Sequence, residues 1–219
     1  MPASTRVKIC CMGSVEELRL AVRLGATAVG LVSAMPSGAG VISDAKIREI
    51  SGAVPAGIDA FLLTSGLNPD AVIEQIRSAG VTTVQLVDAF PVAGYAMLRK
   101  ALPGIRIVQV IHVCDDRSVA EAAAAAEHAD FLLLDSGNPD LPVKELGGTG
   151  RVHDWRISRM ICERVRTPAY LAGGLRPDNV AEAIRTVRPF GVDVCSGVRS
   201  NGALDESKLK SFFEAVQSC

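Results

Sequence analysis

Short aliphatic runs alternate with amphipathic stretches along almost the whole chain. Between the aliphatic runs lie segments of helical period, such as residues 15–24. This alternation predicts eight strand–helix units with parallel strands. No predicted strand carries the charges or prolines that mark a sheet edge, so closure into a barrel is favoured over an open sheet. The eight predicted strands end near Cys10, Val32, Leu63, Leu86, Ile111, Asp135, Ala172 and Cys195.

One interval between predicted strand ends is longer than the others. Most intervals are 22 to 31 residues, enough for a strand, a helix and two loops, but 37 residues separate Asp135 from Ala172. The surplus is a polar loop, 136–153, which contains the run Gly147-Gly-Thr-Gly150. Loops of this size in a compact domain usually act as lids or binding loops. We therefore predict a single-domain (β/α)8 TIM barrel over residues 1–219 with a lid at 136–153, in which Gly148 binds substrate.

Two turns near the C-terminus have the composition of a phosphate site. Gly173 and Gly174 follow the seventh predicted strand, and Ser196 and Gly197 follow the eighth. Glycine lets an anion approach main-chain amides because it has no Cβ, and Pro177 fits the first turn of a helix whose N-terminus favours negative charge. A single such turn is more often a tight connection only. Two of them after strands seven and eight match the place where (β/α)8 barrels bind phosphate.

Polar side chains are expected inside the barrel on its first and last strands. Alternation along the first strand puts Lys8 and Cys10 on one face, and Val7 and Ile9 on the face that packs against helices. Cys10 alone is typical of a small buried apolar residue. Its place at the barrel mouth beside a cation favours a functional thiolate instead. Asp193, on the neighbouring last strand, is expected to pair with Lys8 and to line the substrate site.

Asp135 ends an otherwise apolar strand over residues 131–135. Because an unpaired carboxylate is unfavourable to bury, this group either has a hydrogen-bonding partner or is held protonated. Two interpretations are open. Asp135 is a general acid, or, ranked slightly lower, it caps the start of the lid with help from Ser136.

Composition and charge exclude several classes of protein. The 219 residues are 48% apolar with a formal net charge of −1, and they carry no basic stripe with interleaved aromatics, so no nucleic-acid partner is expected. Six cysteines without C-x-x-C spacing and three histidines without ligand spacing predict no metal site and no disulfide framework. No apolar run approaches the roughly 18 residues of a membrane span, and the N-terminus lacks a signal-peptide core. We expect a cytoplasmic (cytosolic) protein without membrane contact, and no apolar stripe predicts an oligomeric state.

Nine short runs follow one another in a recognisable order: Lys8-Ile-Cys10, Gly30-Leu-Val32, Val84-Gln-Leu86, Leu133-Leu-Asp135, Gly147-Gly-Thr-Gly150, Asp154-Trp155, Leu171-Ala-Gly-Gly-Leu175, Gly191-Val-Asp-Val194 and Ser196-Gly-Val198. In order and across nearly the whole chain, these motifs resemble the phosphoribosylanthranilate isomerase family. The resemblance implies an Amadori rearrangement of an aminoaldose phosphate in tryptophan biosynthesis, with Cys10 as general base and Asp135 as general acid. It implies a small phosphosugar substrate and no metal or organic cofactor, because the substrate's own nitrogen accepts the electrons.

Several positions depart from the family pattern. Ser37-Gly-Ala-Gly40 stands where the family has S-P-R, whose arginine takes the anthranilate carboxylate, and Val87 stands in place of a histidine. Cys11 replaces a glycine, His153 the lid phenylalanine, and Arg199 an acidic residue. We expect Arg199 to contact the phosphate or the aglycone carboxylate, or else to be a solvated surface arginine.

These departures leave three functional hypotheses. The first is phosphoribosylanthranilate isomerase with a rebuilt carboxylate site that uses Arg199 or Arg151. The second is a related enzyme acting on a phosphosugar with a different aglycone. The third is a non-catalytic phosphosugar-binding paralogue, and retention of Cys10 and Asp135 counts against it because a binding protein needs no acid–base pair.

Overall fold

The computed structural model describes residues 5–36, 39–138, 141, 144, 146 and 150–219. In these ranges eight parallel strands pair in sequential order and close into one barrel, and each strand is followed by a helix. Each strand ends within one residue of the predicted position, so the prediction of a (β/α)8 barrel is confirmed. The strands are β1 (Arg6–Ile9), β2 (Ala28–Val32), β3 (Asp59–Thr64), β4 (Thr83–Leu86), β5 (Arg106–His112), β6 (Phe131–Asp135), β7 (Ala169–Leu171) and β8 (Gly191–Val194).

The helices surround the barrel, and their ends follow capping signals in the sequence. They are α1 (Val15–Leu24), α2 (Asp44–Gly52), α3 (Pro69–Ala79), α4 (Val92–Ala101), α5 (Arg117–Ala126), α6 (Trp155–Arg164), α7 (Val180–Val187) and α8 (Glu206–Gln217). In α1, for example, the Ser14 hydroxyl accepts the Glu17 amide and Gly25 ends the helix at φ 112°. A short hairpin, β9 (Arg199–Ser200) and β10 (Ala203–Leu204), precedes α8. No helix in the described ranges is long and apolar enough to cross a membrane.

Two separate apolar layers form the core, one between strands and helices and one inside the barrel. Val7 and Ile9 belong to the outer layer together with Leu18 of α1. The inner layer includes Phe61 and Tyr170, whose rings meet edge to face at 5.8 Å between centroids. Burial of each such side chain contributes about 1.5–3 kcal/mol. The predicted alternation along β1 is confirmed, because its odd positions face the helices.

The barrel closes between its first and last strands. Lys8 of β1 lies opposite Asp193 of β8 in the parallel register, and Lys8 Nζ is 2.9 Å from Asp193 Oδ2. The Lys8 side chain is fully buried, with its ammonium 5.3 Å from the centroid of the Phe61 ring. The predicted ion pair is therefore present inside the barrel.

Candidate functional site

A cavity of about 70 Å³ lies at the carboxyl ends of the barrel strands. This is the end at which (β/α)8 barrels carry their active sites. The wall includes six of the nine residues predicted for the site, which come from four different strand ends: Cys10, Asp135, Gly173, Gly174, Asp193 and Ser196. Gly197 and Arg199 lie beside this wall and are described below. Gly148 lies outside the residues that the structure describes.

Cys10 directly follows β1, and only 6% of it is exposed. Gly30 of β2 makes room for its side chain, since a Cβ at Gly30 would lie 2.8 Å from Cys10 Sγ and 3.1 Å from Lys8 Nζ. The thiol and the ammonium therefore border the same small gap. This role of Gly30 was not predicted from the sequence, although a glycine inside a strand is a known sign of close approach.

The Lys8–Asp193 pair gives the floor of the site a fixed charge arrangement. Burial lowers the pKa of Lys8, but Asp193, Cys10 and Cys11 together raise it by more, so the net pKa lies above its ordinary value. Burial raises the pKa of Asp193, and Lys8 offsets part of that rise. We take the pair as ionised because each charge lies 2.9 Å from its opposite. The lysine thus keeps a positive charge next to Cys10.

Asp135 is half-buried at the end of β6. Its Oδ1 accepts the Ser136 amide at 2.7 Å and lies 3.5 Å from the Ser136 hydroxyl. The carboxyl group therefore accepts the first amide of the lid. The same side chain also lines the cavity together with Cys10. An acid and a base thus share one wall, and the catalytic roles of both remain predictions.

The two predicted phosphate turns lie against each other. Gly173 and Gly174 both adopt left-handed backbone conformations, at φ 83° and 62°. A Cβ at Gly174 would lie 2.7 Å from the Arg151 carbonyl carbon, so only glycine lets the base of the lid pack here. A Cβ at Gly197 would lie 1.9 Å from Leu175 O. Gly197 therefore brings the two turns together without lining the cavity itself.

The helices after these turns differ from the prediction at one point. Pro177 lies in a turn, and α7 begins three residues later at Val180. Asn179 holds this turn, because its Oδ1 accepts the Arg176 amide at 2.8 Å and its Nδ2 donates to Gly174 O at 3.0 Å. After β8 a 3-10 helix, Ser196–Val198, starts almost at the strand end, as predicted.

The Arg199 guanidinium makes several contacts within the protein, and its expected roles at the phosphate or the aglycone carboxylate stay predictions. Its guanidinium binds Glu17 of α1 through both carboxylate oxygens, at 2.8 and 2.9 Å. It also donates to Gly202 O at 2.9 Å and to the carbonyl oxygens of Cys10 and Cys11. The side chain is only 11% exposed, so it is not a solvated surface arginine. These N–H groups point at partners within the protein. Arg199 does not line the wall of the cavity that contains Cys10 and Asp135.

Two polar side chains at the site, Gln85 and His153, were not predicted as functional groups from the sequence. Gln85 of β4 lines the cavity, and in the described residues its buried Oε1 has no hydrogen-bond partner. His153 stands at the cradle, since a Cβ at Gly173 would lie 3.1 Å from its Nδ1. Its Nε2 lies 2.6 Å from Ser158 Oγ. Burial lowers the pKa of His153, and the nearby Asp135 and Asp154 offset only part of this.

The rest of the cavity wall is mostly apolar. It carries Val32, Met35, Leu63 and Val87. Ala39, from the segment 37–40 that differs from the family pattern, also lines the wall. Ser37 and Gly38 lie outside the described residues. Arg151, the second candidate for the carboxylate contact, is exposed at the base of the lid and does not line this wall. In the described part of the chain, no group of three or more His, Cys, Asp or Glu side chains is arranged to hold a metal ion.

Comparisons with known proteins agree on one family. The model of the family described as N-(5′-phosphoribosyl)anthranilate (PRA) isomerase matches residues 7–215. The chain is 37% identical over 215 residues to N-(5′-phosphoribosyl)anthranilate isomerase 2 of Methanosarcina mazei, covering 97% of this chain and 94% of that protein. It is 34% identical to the isomerase of Methanocella arvoryzae, covering 97% of this chain and 98% of the other.

Solved structures of this family share the fold of the chain. Phosphoribosyl anthranilate isomerase from Thermotoga maritima superposes with a TM-score of 0.84 at 30% identity, covering 98% of this chain and all of the other. A phosphoribosyl anthranilate isomerase in complex with reduced 1-(o-carboxyphenylamino)-1-deoxyribulose 5-phosphate gives a TM-score of 0.81 at 28% identity, over 98% of this chain and 100% of that one.

Proposed function

Because the chain belongs to the N-(5′-phosphoribosyl)anthranilate isomerase family, we propose that it catalyses the family's reaction in tryptophan biosynthesis. This is the Amadori rearrangement of N-(5′-phosphoribosyl)anthranilate to 1-(o-carboxyphenylamino)-1-deoxyribulose 5-phosphate, an aldose–ketose isomerisation. The observation that carries the proposal is a single cavity wall that joins Cys10 and Asp135 to the glycine cradle.

Asp135 acts as the general acid in this proposal. Its carboxylic acid donates a proton to the furanose ring oxygen as the C1′–O bond breaks, and the substrate nitrogen supplies the electron pair that forms the iminium. The contact between Oδ1 and the Ser136 amide fixes the carboxyl group at the edge of the cavity. Proton transfer by a positioned group contributes typically about 10² to 10⁴ in rate.

Cys10 acts as the general base. Its thiolate removes the C2′ proton, the electron pair of that C–H bond moves into the iminium, and the resulting enolamine tautomerises to the ketone. Lys8 lies beside this thiol and is itself held by Asp193 at 2.9 Å. These two residues position and charge-stabilise the base from below, so Asp193 contributes to the site without a bond to the substrate.

The cradle formed by Gly173, Gly174 and Ser196 binds the 5′-phosphate in this proposal. Successive left-handed glycines expose main-chain amides that can donate to phosphate oxygens. Binding energy at this remote group orients the sugar between acid and base. The apolar wall around Met35 and Val87 suits the aromatic ring of the aglycone. Because a phosphate ester of this charge does not cross a lipid bilayer, we also place the enzyme in the cytosol with its substrate.

Loss of substrate fluorescence tests the activity directly. The anthranilate conjugate fluoresces, and we expect the purified chain to quench this signal within minutes. Cys10→Ser and Asp135→Asn should each lower turnover by roughly two or more decades while ribulose 5-phosphate still binds, as expected for groups that act in the transition state. Cys162→Ser, a change in α6 away from the cavity, is the matched control and should keep normal turnover.

Two outcomes contradict the proposal in different ways. Near-normal turnover in both active-site variants removes Cys10 and Asp135 from the mechanism. A chain that binds ribulose 5-phosphate but never quenches the conjugate either acts on a different aglycone or is a non-catalytic phosphosugar-binding protein.

A further inference from the structure

Two cysteines that the mechanism does not use meet at the mouth of the site. Cys11 follows the proposed base in the loop after β1, and Cys195 precedes Ser196 in the loop after β8. Both are free thiols, and their Sγ atoms lie 2.6 Å apart. Non-bonded heavy atoms prefer separations of about 3.5–4.0 Å, whereas the sulfurs of a disulfide lie about 2.0 Å apart. The pair is thus closer to bonding distance than to ordinary contact.

We propose that Cys11 and Cys195 form a reversible disulfide that ties the loop after β1 to the loop after β8 and slows substrate entry. Two hydrogen bonds keep these loops together. Cys10 N donates to Val194 O at 2.9 Å, and the Arg199 guanidinium donates to the carbonyl oxygen of Cys11. Both contacts hold the two loops side by side, so the sulfurs need little movement to bond.

The environment of the two thiols sets the order of reaction. The hydrogen bond with Cys11 lowers the pKa of Cys195, and the Arg199 charge adds to this, while burial opposes both. Hydrogen bonds with the Cys10 and Cys195 thiols, together with burial, raise the pKa of Cys11. Cys195 is also the more exposed of the two. Since the thiolate is the nucleophile, Cys195 reacts first and Cys11 resolves the intermediate.

Glutathione disulfide is a sufficient oxidant for this exchange. The Cys195 thiolate attacks one of its sulfurs, which forms a mixed disulfide and releases one glutathione thiolate. The Cys11 sulfur, after losing its proton, attacks Cys195 Sγ, which forms the internal bond and releases the second glutathione. Two protein thiols are oxidised, and one glutathione disulfide is reduced to two glutathione molecules.

The size of the cavity explains why the bond should slow entry. Cys11 and Cys195 both line the cavity, which measures about 70 Å³. Sites for small organic ligands usually enclose about 300–1,000 Å³. The loops at the mouth therefore separate to admit a phosphosugar, and a covalent link between two of them opposes that separation. This effect on turnover rests on the proposed function, whereas formation of the bond does not.

Mass spectrometry tests the bond independently of activity. The full chain is incubated with glutathione disulfide, its remaining thiols are alkylated, and it is digested with trypsin. We expect peptides 9–19 and 186–199 to be cross-linked, as the cleavage sites in the sequence dictate. Trypsin does not separate Cys10 from Cys11, so the digest is repeated on Cys10→Ser, in which the cross-link should persist. It should be absent in Cys11→Ser and Cys195→Ser and present in Cys114→Ser, a control outside the cavity wall.

The kinetic arm uses the same samples. Oxidation should raise KM severalfold more than it lowers kcat, and dithiothreitol should restore both. Cys195→Ser should respond to glutathione disulfide no more than to buffer, relative to its own untreated rate. Cys11→Ser keeps the attacking thiol and should accumulate a glutathione adduct on Cys195 in place of the cross-link. The proposal is overturned if the cross-link needs Cys10, if glutathione adducts accumulate on the wild type instead of a cross-link, or if the cross-linked enzyme has unchanged kinetics.

Discussion

A single residue, Gly30, determines how closely the Cys10 and Lys8 side chains approach each other. Its missing side chain leaves the space that the thiol and the ammonium share, and any Cβ there would overlap Cys10 Sγ at 2.8 Å. Methyl-sized groups that are forced into packed sites displace their neighbours at a cost of about 1–3 kcal/mol. A neighbouring strand therefore helps to set the position of the proposed base.

We predict that Gly30→Ala lowers kcat by about 10- to 100-fold, because a displacement of about 1 Å at the chemistry has effects of that size. Steady-state kinetics and circular dichroism would be compared with those of Gly52→Ala. Gly52 ends α2, where a Cβ meets nothing within 4 Å. A folded Gly30→Ala protein with wild-type kcat would show that Cys10 tolerates displacement.

His153 is the residue from which we expect a pH effect. Because burial lowers its pKa in the folded state, the unfolded chain binds more protons through the range around and below the ordinary value of 6.5. The free energy of unfolding contributed by this group therefore falls as the pH drops through that range and recovers above it. His153→Phe removes the titrating group and keeps a ring in the same space.

Urea unfolding at pH 8 and pH 5.5 checks this prediction. The wild type should lose more stability on acidification than His153→Phe does. Ser158→Ala removes the 2.6 Å contact to His153 Nε2 but keeps the imidazole, so it should retain most of the wild-type pH dependence. Equal losses in the wild type and His153→Phe would refute the assignment.

The residues of the site were unequally predictable from the sequence. Cys10, Asp135 and the two glycine turns were found because each lies at a strand end, where short-range patterns are informative. Gly30 and Cys10 are 20 positions apart, and Cys11 and Cys195 are 184 positions apart. A local sequence pattern does not indicate such contacts. Arg199 was correctly predicted to lie at the carboxyl end of the barrel strands. Its partner Glu17 was not predicted, because it lies 182 positions away.

At the level of elements, Arg199 connects the end of the chain to its beginning. It joins β9 to Glu17 of α1, and Glu17 also accepts the amides of Gly13 and Leu204 at 2.9 and 2.8 Å. Neither side chain is more than 17% exposed. The helix after β1 and the hairpin after β8 are thus held together through Glu17.

We predict that Arg199→Ala lowers the free energy of unfolding by about 1.5–3 kcal/mol, the range for hydrogen bonds to charged groups. Affinity for ribulose 5-phosphate should change less than twofold, because Arg199 does not line the cavity. A double-mutant cycle with Glu17→Ala should show a coupling energy of about 0.5–3 kcal/mol. If Arg199→Ala loses affinity for ribulose 5-phosphate while its free energy of unfolding is unchanged, Arg199 contacts the phosphate after all.

Boundaries of elements were predicted better for strands and capped helices than for α7. The segment 15–24 was predicted as a helix and is α1, which has a serine cap and a left-handed glycine at its ends. Pro177 fits a helical first turn in isolation, yet the Asn179 side chain holds residues 176–179 in a turn instead. A side chain that binds the backbone of its own turn competes with helix initiation, and this competition is hard to read from composition.

For the whole molecule, closure of the barrel is the step that a sequence pattern indicates only indirectly. Eight repeated units predict parallel strands, but closure requires β1 to pair with β8 across 185 positions. The pairing carries the Lys8–Asp193 contact in its register. A buried ion pair contributes little net stability over apolar residues, whereas a single uncompensated charge left in its place is strongly unfavourable.

Lys8→Met and Asp193→Asn should therefore each lower the free energy of unfolding by about 3–5 kcal/mol, because each leaves one buried charge without its partner. The double variant removes both charges and should be more stable than either single variant. Urea unfolding of the four proteins at pH 7 gives the coupling energy, and stability is the suitable readout because Lys8 also borders Cys10. As a matched exposed pair, Lys210 and Glu206 of α8 lie 2.9 Å apart with about half of each side chain in solvent. Lys210→Met should change stability by no more than about 1 kcal/mol. If the double variant is as unstable as the sum of the single variants, the two charges act independently and the ion pair does not support closure of the barrel.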